Sequence, residues 1–381
     1  MPGRKLGRVV IASRCAWTTF NFRRRLIEEL TATGAEVVAC GAGGDGYEER
    51  LQAIGIRFVR MPLARRSVSV FSDLRYLLAC CRLLRQVKPD VVHAFTIKPV
   101  IYCSMAAAIV RVPVRVVMIT GLGYTFTSSG SWLRKAVQVL YRIALRRVDR
   151  VYFQNASDRD DFLVLSLVTA VKCRLISGSG VDTRRFAPVE RPGVAGAPAF
   201  VMVSRALREK GVGEFLDAAR RVRQTGQPAR FVLVGGTDHR NPTSMSDQDV
   251  RDAASSAGVE WVGQVDDVRE HLASADVVVL PSYREGTPMS LLEAAAMAKP
   301  MIATDVPGCR EVVREGWNGW LVPPRDSAAL ATAMLRAIRE RGLWRSFGEN
   351  ARALATSTFD VRLVCRQLID DYRALLMRGD D

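Results

Sequence analysis

Short runs of continuously apolar residues, each followed by a segment of helical period, recur along this chain and restrict its fold more than any other feature. The runs lie at residues 8–12, 37–40, 57–61, 91–94, 115–119, 150–153 and around 174–176, with a second series at 200–203, 231–234, 260–262, 277–280 and 301–303. Apolar and polar residues do not alternate within them, so both faces of each strand are covered, as in parallel sheets of α/β proteins. Between the runs, residues 22–33 place Phe22, Leu26, Ile27 and Leu30 on one helical face and stop at Gly34, and residues 72–86, 213–224 and 326–340 repeat that period. Residues 13–19, SRCAWTT, read as the first loop. The two series are parted by RRFAPVERPGVAGAPA at residues 184–199, rich in Pro, Gly and Ala and without a period. The layout expected is a Rossmann-like domain over residues 1–185, a linker at 186–199, a second such domain over 200–359, and an amphipathic helix over 360–381 that crosses back to the first domain. Doubly wound domains hold ligands at the carboxyl ends of their strands, which points to a cleft between the two.

Charge is unevenly placed. Through residue 185 there are 30 Lys and Arg against 13 Asp and Glu, and beyond it 25 against 26, so one half carries nearly all of the net +16. Such a half is either a solvated cationic face or a surface that meets an anionic membrane or substrate. Nucleic acid is not an expected partner, because no binding motif or interleaved aromatic stripe accompanies the charge. No apolar stretch reaches the roughly 18 residues of a membrane helix; the nearest, residues 100–120, is broken by Arg111, Pro113 and Arg115. The basic N-terminus precedes an apolar run too short for a signal peptide. The eight cysteines form no CxxC pair and no metal spacing, which fits a reducing cytosol.

The densest chemistry lies in residues 281–313, PSYREGTPMSLLEAAAMAKPMIATDVPGCREVV. An apolar strand precedes it. Thr287 is the expected N-cap and Pro288 the first helical residue, with Leu291, Leu292, Ala295 and Ala296 at helical spacing. Two carboxylates belong to this βαβ unit, Glu285 in the loop and Glu293 in the second helical turn. A helix start offers unpaired N–H groups and a positive dipole end to a diphosphate, and a carboxylate just beyond it can accept hydrogen bonds from a ribose diol. Glu293 is flanked by Leu292 and three alanines; a carboxylate buried there without a partner is costly, which implies a ligand. Arg205 and Lys210 follow the first strand of the second series and suit a departing diphosphate. Alone they would read as surface cations; with the two glutamates they read as a site. Arg205, Lys210 and Glu293 are expected to converge on one pocket.

The blocks SRALREKG, VGG, REGTPMSLLEAAAMAKPMIATDVPG and EGWNGWLVPPRD resemble, in that order, the C-terminal domain of retaining glycosyltransferases of family four, which have the GT-B fold of two Rossmann-like domains facing across a cleft. The family's two glutamates separated by seven residues are matched by Glu285 and Glu293. The resemblance implies that Glu293 binds the ribose of a nucleotide-sugar, that Glu285 lies near the transferred sugar, that Arg205 and Lys210 hold the diphosphate, and that the backbone of Gly286, Thr287, Pro288, Met289 and Ser290 caps it. In the first half, NFRRRLIEELTATGAEV, DVVHAFTIKPVIYCSMAA and VVMITGLGYTFTS are similar to the branch that extends glycans on undecaprenyl-diphosphate, including transferases of N-acetylgalactosamine to lipid-linked diacetylbacillosamine.

That branch implies a UDP-sugar donor carrying a HexNAc or hexose, a polyprenyl-diphosphate-linked or surface-polysaccharide acceptor, and a cytoplasmic enzyme peripheral to the inner face of a bacterial membrane. Retention is thought to need no enzymic nucleophile and no metal, the leaving phosphate helping to deprotonate the acceptor. The acceptor-side candidates are His93, Lys98, Gly121, Asn21 and Arg23. His93 either faces the cleft or is a satisfied histidine near the core. There are departures: residues 13–19 lack the double glycine of many members, and Thr120-Gly121-Leu122-Gly123 stands where many have a histidine. Asp247-Gln248-Asp249 spells the DxD of metal-dependent transferases but opens a polar helix, where acids suit the dipole. Two other readings remain open. A UDP-sugar 2-epimerase needs carboxylates on both sides of the cleft, and HAFTIKP and ITGLGYTF offer none; an inactive nucleotide-sugar-binding partner would keep the site residues without turnover.

Overall fold

A computed structural model of the chain describes residues 6–63, 69–121, 131–189, 196–238, 241 and 243–378. The first apolar series forms β1 (Arg8–Cys15), β2 (Glu36–Ala42), β3 (Arg57–Arg60), β4 (Val91–Phe95), β5 (Val114–Ile119), β6 (Arg150–Phe153) and β7 (Cys173–Leu175). They lie in the order β3-β2-β1-β4-β5-β6-β7, every ladder parallel. The second series forms β8 (Ala199–Val203), β9 (Arg230–Val234), β10 (Glu260–Gly263), β11 (Val277–Leu280), β12 (Met301–Thr304) and β13 (Gly319–Val322), in the order β10-β9-β8-β11-β12-β13 and again parallel. Both are doubly wound, with the strand order reversing between β1 and β4 and between β8 and β11.

The continuous apolar strands have a direct structural cause. In the second sheet Val201, Val232, Val278 and Met301 enter one core, while their neighbours Phe200, Phe231, Val277 and Ile302 enter another on the opposite face. Successive side chains point to opposite faces of a sheet, so a strand buried on both sides cannot afford polar alternation. The first sheet behaves alike: Val10, Val92, Val117 and Val151 join one core.

Packing divides the chain into two compact units, Met1–Ser179 with Arg362–Asp381, and Gly180–Val361. Within the second, Phe186 is buried, and the Arg352 guanidinium donates to the carbonyls of Thr183 (2.9 Å) and Phe186 (3.0 Å). That holds residues 183–186 to the second unit, so the start of the stretch read as linker belongs to that unit's fold. The C-terminal helix (Val361–Met377) packs on the first sheet: Asp371 accepts from Arg150 (3.0 Å) and from the Tyr152 hydroxyl (2.6 Å).

Two local expectations are corrected. Residues 13–19 are not a loop, for β1 runs on to Cys15, pairing with Ala42 past an irregularity, and helix α1 (Ala16–Ala32) starts at once. The Thr18 hydroxyl accepts from the Cys15 amide (3.1 Å) and donates to its carbonyl (2.7 Å), a local closure that two adjacent β-branched threonines did not advertise. The helix after β11 begins at Met289, with Pro288 as an extended N-cap. Thr287 therefore lies one residue outside the cap position, and the first helical N–H groups belong to Met289 and Ser290.

Candidate active site

The site is built at the carboxyl edge of the second sheet, where β8 and β11 diverge. β8 ends in Ser204-Arg205, and a turn of 3-10 helix, Arg208–Lys210, follows. Gly211, at φ 75°, ends that turn where a Cβ would collide with the Pro281 carbonyl after β11. The Tyr283 amide donates to the Glu209 carbonyl at 2.9 Å, and the Ser282 hydroxyl to the same oxygen at 3.2 Å. These bonds clamp the loop after β8 to the loop after β11, and they deliver Lys210 to Glu285: Nζ and Oε1 are 2.5 Å apart, with both side chains largely buried. On the far side the short helix Pro307–Arg310 sits against the same loop, since a Cβ on Gly308 would strike the carbonyls of Glu285 and Gly286.

Glu293 stands five residues into the helix Met289–Ala296, between buried Leu292 and Ala294. Its side chain is partly buried, and burial pushes its pKa up to about 8. Nearby Arg185 moderates the shift and Asp267 adds to it. Those two pair with each other at 3.5 Å. Among the described residues none donates a hydrogen bond to the Glu293 carboxyl. A partly buried acceptor without a donor is a place for a ligand hydroxyl.

The remaining candidates fall as follows. Arg205 is half-exposed and pairs with Asp238 at 3.2 Å, so the expected cluster is held in three polar arrangements: Lys210 with Glu285, Arg205 with Asp238, and Glu293 beside Arg185 and Asp267. Pro288 and Gly286 are buried, and Thr287, Met289 and Ser290 half-buried. His93 is fully buried in the middle of β4, so the cleft-facing alternative is corrected. Its Nδ1 is hydrogen-bonded to the Tyr372 hydroxyl of the C-terminal helix, its ring stacks on Phe95 at 3.9 Å, and burial with nearby Arg23 drives its pKa well down. It is a neutral core histidine. Lys98 is likewise spoken for, its Nζ lying 2.6 Å from Asp73, which also accepts from the Tyr102 hydroxyl at 2.8 Å. Arg23 is buried over the Phe95 ring at 3.9 Å and donates to the Ser179 hydroxyl at 3.0 Å; desolvation lowers its pKa to about 9. Asn21 is exposed and donates to the Trp17 carbonyl of its own helix at 2.9 Å. Gly121 follows β5 at φ 113°, while Leu122 and Gly123 lie outside the described residues.

Asp247 and Asp249 both lie in the first turn of the helix Asp247–Ala257: Asp249 completes a capping box with Ser246 and Asp247 accepts from the Thr237 hydroxyl. Sequence reasoning missed Asp238, Arg185 and Asp267. Asp238 follows Gly235-Gly236 at the carboxyl end of β9, next to β8, where the rule for doubly wound sheets could have found it. No local pattern marks the other two.

The chain belongs to the glycosyltransferases and has the GT-B fold. Residues 21–178 match the glycosyl transferase 4-like domain and residues 197–340 the glycosyl transferases group 1. The chain is 25% identical over 379 residues, covering 96% of itself and 98% of the relative, to the N,N'-diacetylbacillosaminyl-diphospho-undecaprenol alpha-1,3-N-acetylgalactosaminyltransferase of Campylobacter jejuni. It is 26% identical to the UDP-Gal:alpha-D-GlcNAc-diphosphoundecaprenol alpha-1,3-galactosyltransferase of Escherichia coli, over 80% of this chain and 81% of that one. Among solved structures, sucrose-phosphate synthase from Thermosynechococcus elongatus superposes with a TM-score of 0.81 at 20% identity, over 97% of this chain and all of the other. Anabaena HepE, solved with UDP-glucose, superposes at 0.76 and 18% identity, over 96% and 99% of the two chains. The relatives' activities lend no support to the epimerase alternative.

Proposed function

We propose that the chain is a retaining transferase that moves a HexNAc or hexose from a UDP-sugar to a polyprenyl-diphosphate-linked glycan at the inner face of a bacterial membrane. The observation that carries the reading is the partly buried Glu293 carboxyl, without a donor among the described residues, one helical turn beyond the N–H groups of Met289 and Ser290 and in the same βαβ unit as Glu285, which pairs with Lys210. In this arrangement Glu293 accepts the ribose hydroxyls. The diphosphate takes the backbone of residues 286–290 and the cations of Lys210 and Arg205, both of which must turn from carboxylates to meet it. Positive charge at the leaving group then comes from side chains and a helix terminus, in a place where desolvation strengthens it. Glu285, freed from Lys210, lies beside the transferred sugar, and the leaving phosphate takes the acceptor proton on the face it departs from.

A metal is not required in this scheme, because Asp247 and Asp249 serve the start of their own helix. The donor nucleotide and the acceptor class follow the full-length relatives, one of which is named for UDP-Gal and two for diphospho-undecaprenol-linked glycans. Among the described residues no helix is long and apolar enough to cross a membrane, so association would be peripheral, through the basic first half. The test is sugar transfer from a panel of UDP-sugars to detergent-dispersed polyprenyl-diphosphate glycans, with chelator present. Transfer from one donor with retained anomeric configuration supports the reading; an inverted product, dependence on added metal, or UDP binding without turnover on any acceptor overturns it.

A further inference from the structure

The first unit leaves two amphipathic helices with their apolar faces in solvent. Helix α3 (Val70–Val87) buries Tyr76, Cys80 and Leu84, while Phe71 is 87% exposed and Leu74 and Leu78 at least half. At 100° per residue these three lie within a sector about 60° wide. The helix Ser131–Arg146 buries Tyr141, Ala144 and Leu145, and exposes Trp132 (71%), Val139 and Ile143 (about half each) along an equally narrow stripe. Both helices pack on the segment Pro99–Ile109 between them and feed the same core. They therefore belong to one layer on one side of the sheet, and their outward stripes look to the same side.

Charge decides what covers these stripes. The helix Ser131–Arg146 contains no acid, and the only acid of α3, Asp73, is taken by Lys98 and Tyr102. Arg82 and Arg85 continue the stripe of α3; Lys135, Arg146 and the following Arg147 flank the other, all exposed. Among the described residues none of these five cations forms an ion pair. Apolar side chains flanked by unpaired cations match an anionic bilayer, in which aromatics enter the headgroup boundary and Lys and Arg meet the phosphates. Phe71 and Trp132 sit at the N-termini of their helices, hence at the carboxyl edge of the sheet, where doubly wound folds receive ligands.

We infer that this face of the first unit is a membrane-docking surface, with Phe71 and Trp132 inserted and the flanking cations on anionic headgroups, so that a lipid-held acceptor reaches the strand ends without leaving the bilayer. The inference deepens the proposed function and rests on it for its purpose, though not for the binding itself.

The test is cosedimentation of the full chain with vesicles of phosphatidylcholine alone or mixed with phosphatidylglycerol, containing no polyprenyl lipid. Binding is expected only to the anionic vesicles and should weaken with salt. The double variant Phe71→Ser/Trp132→Ser should weaken it on the order of 100-fold, roughly ten-fold for each side chain withdrawn from the apolar boundary. Lys135→Glu/Arg146→Glu should weaken it with the apolar stripe intact. All four positions are exposed, so an unchanged melting temperature is expected. Protein that stays in solution with anionic vesicles overturns the proposal, as does a double variant that binds like the parent. So does a stable dimer that the double variant converts to monomer, since a second copy would then cover the stripes. Failure of the transferase reading shows separately, as no sugar transfer in detergent while vesicle binding persists.

Discussion

The two sheets reverse their strand order at the same point, and the two units partner their charged groups differently. At the carboxyl edge of the second sheet, Lys210 and Glu285 are joined to each other, Arg205 leans on Asp238 at the surface, and the Glu293 carboxyl has no donor among the described residues. These are contacts a ligand can replace. In the first unit the charged candidates are already paired, with His93 Nδ1 on Tyr372, Arg150 and Tyr152 on Asp371 and Lys98 on Asp73, while His93 Nε2, Ser13 Oγ and Thr96 Oγ1 are buried without a hydrogen-bond partner. The difference teaches that a residue type in the right strand position is only half of a site; the other half is whether the fold leaves it unsatisfied.

The sharpest way to break the comparison is to remove the charge that both orders the second edge and meets the leaving group. Lys210→Ala should lower turnover by about 10³-fold, the usual scale for one preorganised group on developing charge. It also leaves Glu285 largely buried and without its cation. Lys210→Arg should restore part of the rate. Steady-state kinetics of both variants check this, and a Lys210→Ala enzyme within ten-fold of the parent would remove Lys210 from the site. The first unit answers in stability instead. Asp371→Ala strips the partner from the buried Arg150 and from the Tyr152 hydroxyl, and should cost about 3 kcal/mol, as breaking a mostly buried pair does. Thermal or urea unfolding measures it, with UDP affinity expected to stay as it was.

The same contrast sets how far the sequence could be read. Strand positions were legible because burial on both faces leaves an uninterrupted apolar run, as in Val277 to Leu280, and all twelve predicted runs fall on strands. The run missed was β13, Gly319–Val322, which a glycine and a tryptophan disguise. The placement of Glu285, Glu293 and Lys210 around one strand end was legible because one short βαβ unit and the turn beside it hold them; their roles remain a proposal. His93 was not, because its meaning depends on Tyr372, 279 residues away. Nor was Lys98, whose partner Asp73 lies on a separate helix. Local patterns record which groups a strand end presents, but long-range pairing decides which of them remain available.

A smaller effect sharpens the account of the second edge through pH. Burial holds the Glu293 pKa near 8, against an ordinary 4.5, so the carboxyl is mostly protonated at pH 6 and ionised by pH 9. Ribose hydroxyls donate to the ionised form, so UDP affinity should rise by about ten-fold across that range, within the limit of ten-fold per pH unit set by one proton. Glu293→Gln should flatten the profile. Stability of the unliganded protein runs the other way. The folded state holds one more proton than the unfolded state between pH 4.5 and 8, so this contribution is complete below 4.5 and fades as pH climbs towards 8. Calorimetric titration across pH, with the parent and the glutamine variant, reads both signs. A parent profile as flat as that of the variant would mean the carboxyl is not the ribose acceptor.

The smallest expected change decides whether the first edge keeps any charge for an acceptor. Lys98 and Asp73 are both mostly buried, and the Tyr102 hydroxyl shares the same carboxylate. Lys98→Met retains the stem, removes the ion pair, and leaves Tyr102 in place to satisfy one oxygen of Asp73. The expected cost is about 1 kcal/mol of stability, with kcat and the KM for donor and acceptor all within about two-fold of the parent. If Lys98 instead leaves Asp73 to hold an acceptor phosphate, the acceptor KM alone should rise by ten-fold or more, the scale of a lost charge-assisted hydrogen bond. The split between the two KM values carries the argument, because a purely structural pair has no reason to move one and spare the other. An acceptor-specific rise would show that an ion pair already closed in the free protein can still be spent on substrate, as Lys210 and Glu285 are proposed to be, and the contrast between the two edges would become one of degree.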